Sequence, residues 1–105
     1  MNDFQELTDL TARVRADTMV LLDWPITLVL RLRVERLKGN VEELLMDIRQ
    51  QSELEDPEAQ ADALRVLGIR LYACGASLRC YQREAQAGRY VLTPAKQGAR
   101  CQVCV

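Results

Sequence analysis

The chain has 105 residues, 49% hydrophobic and 28% charged, which is enough apolar material for one packed core and too little length for two. Fourteen Lys and Arg against fifteen Asp and Glu leave a formal charge of -1, so the global basic field of a generic nucleic-acid or anionic-membrane binder is missing. There is no histidine, which removes Ser–His and Cys–His catalysis, His-ligated zinc and imidazole pH switching.

Asp3, Glu6, Asp9 and Asp17 precede the short run Met19 to Leu22, so the first twenty residues lack the basic start and apolar middle of a secretory signal. No apolar run approaches the ~20 residues that cross a bilayer. A cytoplasmic protein is expected, and the excess of twelve Arg over two Lys (Lys38, Lys96) is the codon bias of a GC-rich, bacterial genome.

Asp3 followed by Glu6 has the spacing of a capping box. Phe4, Leu7, Leu10, Val14 and Leu21 then share a face, giving a helix over about 4–22. Asp23-Trp24-Pro25 stops it, because proline disfavours a helical residue before it yet fits the first turn of a new helix, with Asp23 as cap. A second helix is expected over 25–52. Leu28, Leu30, Leu32 and Val34 alternate with charged residues like a strand, but Leu30, Val34, Leu37, Val41, Leu44 and Ile48 advance by fours and threes without a slip. That register runs straight through Gly39-Asn40, so continuity is expected there; the competing reading breaks the helix at Gly39 and restarts it with an Asn40–Glu43 capping box.

The acidic segment Glu53 to Glu58 with Pro57 opens a third helix, expected over 57–87 with Gly88 as its stop. Leu64, Leu67, Leu71, Cys74, Leu78, Tyr81 and Ala85 form its stripe. Folding the chain back at residue 56 pairs Ile48 with Leu64, Leu44 with Leu67, and so on to Leu30 with Tyr81, every pair equidistant from the turn to within one residue. The expected fold is therefore all-α: an antiparallel helical hairpin with a shorter N-terminal helix, bundle-like and completed by dimerisation. Residues 1–88 form the helical domain. Residues 89–105, basic and broken by Pro94 and Gly98, read as a C-terminal tail, either a small β-hairpin or mobile.

Helix 3 carries a second apolar line, Val66, Ile69, Ala73, Ala76 and Cys80, and Leu28, Leu32 and Met46 lie opposite the main stripe of helix 2. Such a long, thin hairpin leaves one of these lines for a partner: the helix 3 line, with its close-packing alanines, suits a homodimer. Otherwise helix 1 covers it. Trp24 at the helix junction plugs the end of the bundle or, as an exposed aromatic, anchors a partner together with Leu28, Leu32 and Met46.

Cys101-Gln102-Val103-Cys104 is the one chemical motif. A closed zinc site needs four ligands, and the other thiols, Cys74 and Cys80, point ~120° apart on one helix; nor does a helix follow the pair to lower a thiol pKa. Cys74 reads as a small core residue. Arg31, Arg33, Arg36 and Lys38 spread round helix 2 among Glu35, Glu42 and Glu43 as ion-paired surface. No cofactor, metal or enzymatic activity is expected. The expected function is a small helical protein-binding module, a regulator, inhibitor or antiactivator, or adaptor, that occupies an unidentified partner protein by burying apolar helix surface. The alternative is a thiol sensor or metal-binding protein using Cys101 and Cys104; the third is a nucleic-acid-binding regulator.

Overall fold

The computed structural model describes residues 3–91, which form three helices: α1 (Asp3–Leu22), α2 (Leu28–Gln51) and α3 (Pro57–Val91). No strand occurs among the described residues. Each helix packs against the other two. Two α2–α3 ion pairs, Asp47–Arg70 at 2.8 Å and Arg33–Glu84 at 3.6 Å, show the numbering rising along one helix as it falls along the other. Arg15 on α1 reaches Glu42 on α2 at 3.1 Å.

The core is one long seam with two clusters. Phe4, Leu44, Ile48 and Leu67 fill one end, with Leu7, Leu64 and Leu71 against them. Leu21, Leu30, Val34, Leu37, Val41, Leu78 and Ala85 fill the other. Cys74 touches both. All six residues of the α2 stripe are buried.

On α1 the buried set differs from expectation. Phe4, Thr11, Thr18 and Leu21 are buried, with Leu7 and Val14 partly so, while Leu10 is 40% exposed. The true seam steps by three and four through both threonines. They break the apolar signal yet occupy the right angular positions, and Leu10 lies beside the seam.

Two boundaries are corrected and one expectation holds. α2 starts at Leu28 rather than Pro25, because Thr27, not Asp23, is the cap: its backbone is extended and its hydroxyl accepts from the Leu30 amide at 3.2 Å. Asp23 to Ile26 are consumed by the reversal, whose amides bond to Val20, Leu21 and Trp24 carbonyls; a helix starting at Pro25 would leave too little chain to turn. Asn40 starts no new helix, and α2 is continuous through Gly39. α3 passes Gly88 and ends at Val91. None of the described glycines takes a positive φ, so the left-handed cap that would have ended α3 at Gly88 is not formed. Arg89 to Val91, read above as the start of the C-terminal tail, are helical, and the rest of the expected tail lies outside the described residues.

The second turn follows the sequence closely. The Ser52 amide bonds to the Ile48 carbonyl at 2.9 Å, closing α2, and the Asp56 carboxylate accepts from the Glu58 amide at 3.3 Å, with Pro57 at the first helical position.

Candidate functional site

A bundle with a continuous seam leaves its interaction chemistry on the outside, so the informative residues are large apolar side chains that the fold fails to cover. On α2, Leu28 (70% exposed), Val29 (60%) and Leu32 (58%) stand together over the first turns. Beside them a surface groove of about 540 Å³ runs between the start of α2 and the end of α3, lined by Pro25, Ile26, Val29, Leu30, Ala85, Ala87 and Gly88. The exposed Arg33–Glu84 pair borders it. Thr27 opens the helix here, and three consecutive apolar residues follow, of which only Leu30 can face the seam. The patch is the geometric remainder of that run.

Met46 is also 60% exposed. It lies on the same side of α2 but ~21 Å further along at 1.5 Å per residue, with Gly39 between, so it does not join Leu28 and Leu32. Trp24 is half-buried and packs against the core cluster that holds Leu21 and Leu30. Its side chain closes the end of the bundle. Arg31 fixes this corner: its guanidinium donates to the Leu22 carbonyl at 2.9 Å and the Trp24 carbonyl at 3.4 Å, neutralising the end of α1. Sequence reasoning placed Arg31 among solvated ion pairs and missed this; an Arg nine residues after a helix end carries no local signature.

The second apolar line of α3 is open to solvent throughout. Val66 is 56% and Ile69 64% exposed, and Ala73, Ala76 and Cys80 are exposed as well. Helix α1 lies against a different side of α3, where Leu10, Val14 and Asp17 approach Leu71, Gly75 and Leu78, so α1 does not cover the line. Tyr72, 73% exposed and adjoining it, belongs to neither stripe and was not singled out in the sequence.

Burial pushes the Cys74 thiol above its ordinary value, opposed in part by the nearby Arg70 charge. Cys80 is exposed. Among the described residues no three His, Cys, Asp or Glu side chains gather to hold a metal ion, and no described helix is long and apolar enough to cross a membrane. Cys101 and Cys104 lie outside the described residues. No family model, curated protein or solved structure matches the chain.

Proposed function

We propose that this chain is a small helical protein-binding module that regulates or adapts a partner protein by occupying it. The carrying observation is the cluster Leu28, Val29 and Leu32, each more than half exposed, beside an apolar groove. An amphipathic or extended segment of the partner would lay apolar side chains into that groove, with Arg33 and Glu84 fixing its register at the rim. Met46 extends the contact only for a partner that follows α2 along its length. The helical hairpin of α2 and α3, with α1 against it, is the rigid frame for this surface. The open line of α3 takes a second copy of the chain, which completes the bundle as a homodimer.

The test is affinity capture from the native host with the wild-type chain and with Leu32→Glu. A charge at a position 58% exposed in the free chain leaves the fold unchanged, while burying it unpaired against a partner costs several kcal/mol. A protein retained by the wild type and lost by Leu32→Glu, at equal helical circular dichroism, supports the reading. Equal retention by both overturns it.

A further inference from the structure

The outward line of α3 has an internal symmetry that constrains how a second copy would sit on it. Val66, Ile69, Ala73, Ala76 and Cys80 advance by three, four, three and four, so the line turned end for end about Ala73 overlays itself to within one residue. Their sizes are not symmetric. The bulky residues lie before Ala73 and the small ones after it. One turn beyond each end the line is closed by a charge: Asp62 before Val66, Arg83 after Cys80, both exposed. Asp62 pairs with Arg65 on its own helix, and Arg83 makes no ion pair among the described residues.

We propose that α3 pairs with α3 of a second copy in antiparallel orientation, about a two-fold axis at Ala73. This rests on the reading of the α3 line as a self-association surface and adds its direction and register. In that register Val66 faces Cys80 of the second copy, Ile69 faces Ala76, and Ala73 faces Ala73, so each bulky side chain meets a small one and the helices approach closely at the axis. Asp62 faces Arg83 at both ends. A parallel pair loses both features: it stacks Ile69 on Ile69 and Ala76 on Ala76, and sets Asp62 against Asp62 and Arg83 against Arg83. The antiparallel pair does bring Arg65 near Arg79 of the second copy on one flank. Asp62, already bonded to Arg65, sits at that contact and offsets the repulsion.

Cysteine placement separates the arrangements. In the antiparallel pair the two Cys80 residues are ~21 Å apart along the axis, fourteen residues at 1.5 Å each, beyond the reach of a disulfide. In a parallel pair they touch. The experiment uses the full chain with Cys101→Ser and Cys104→Ser, alone and with Val66→Cys or Ala73→Cys, oxidised mildly with copper phenanthroline. Sedimentation equilibrium and circular dichroism are measured alongside. The background should stay uncrosslinked, while Val66→Cys, through Cys80 of the second copy, and Ala73→Cys, through itself, should give covalent dimers. Separately, Asp62→Arg or Arg83→Asp should each weaken the dimer roughly three- to tenfold, and the two together should recover most of that loss.

A dimer that crosslinks through Cys80 in the background, or in neither added-cysteine variant, overturns the register while leaving self-association standing. A chain that remains monomeric at several hundred micromolar overturns both. If the added cysteines disturb the fold, the charge swap alone decides: no recovery in the double variant overturns the proposal.

Discussion

Thr11 is fully buried in the α1 seam, and its hydroxyl has no hydrogen-bond partner among the described residues. Thr18, one heptad further on, is as deeply buried but donates to the Val14 carbonyl at 2.7 Å. The two positions should therefore answer differently to the same change. Thr11→Val keeps the shape and removes a desolvated polar group, and should stabilise the fold by about 1 kcal/mol, raising the melting temperature by ~4–8 °C. Thr18→Val removes a satisfied hydroxyl and should lie within about 0.5 kcal/mol of wild type. Thermal unfolding of both variants checks the contrast; equal shifts would show that Thr11 finds a partner in solution. The thiols make a second pair. At dilutions that keep the chain monomeric, Cys80 should react with an alkylating reagent within the time that leaves Cys74 intact, read by mass spectrometry of proteolytic fragments. Because burial raises the Cys74 thiol, the native state favours its neutral form. That contribution is complete below the ordinary value of 9.0 and is lost as pH rises through the raised one. A Cys74→Ala chain should accordingly lose less of its stability between neutral and alkaline pH than the wild type.

At the scale of the element, α2 shows what a stripe can override. Gly39 sits in the middle of the helix on its outer side, and an added Cβ there would meet nothing within 4 Å. Gly39→Ala should stabilise the chain by about 1 kcal/mol through helix propensity alone, measured as an increased denaturant midpoint at unchanged slope; no gain would mean that α2 already tolerates a break there in solution. The helix was legible across Gly39 because Val34, Leu37, Val41 and Leu44 keep phase on both sides, and burying four such residues outweighs the cost of one glycine. Starts and stops were less legible. Thr27 and Asp23 are both chemically competent caps for α2, and the choice between them depends on how much chain the turn consumes, a tertiary quantity. Gly88 failed as a stop for a related reason: glycine permits the left-handed cap but does not impose it.

For the whole molecule, the seam is one layer of side chains thick. Leu44 is fully buried where all three helices meet in the Phe4 cluster. Leu44→Ala should cost about 2–5 kcal/mol, a large share of the ~5–15 kcal/mol that holds a domain of this size, and should lower the urea midpoint sharply. Leu28→Ala, at a side chain 70% exposed, should leave it within about 0.5 kcal/mol. A small effect at Leu44, or a large one at Leu28, would contradict this division of core from surface. The α2 stripe was readable from the sequence to the last residue, since a seam repeats. The candidate surface was readable only in part. Leu28 and Leu32 fall outside the stripe by arithmetic, and the distance of Met46 from them along α2 is arithmetic too, but that Trp24 turns inward depends on where α1 ends and how the first turn is drawn.

The described residues extend over 61 × 21 × 19 Å, a rod about three times longer than it is wide, with a radius of gyration of 17.8 Å against the ~13 Å of a compact chain of similar length. All three helices lie along that rod, and helical N–H bonds lie along their helix. The backbone amides therefore report mostly the slow end-over-end rotation. Nuclear relaxation will return a correlation time too long for 11.9 kDa, and gel filtration an early elution volume, even for a single chain. Both mimic a dimer. Two rods packed side by side would be broader without being longer, so association should raise the sedimentation coefficient while lowering the frictional ratio, a pair of changes that elongation alone does not produce.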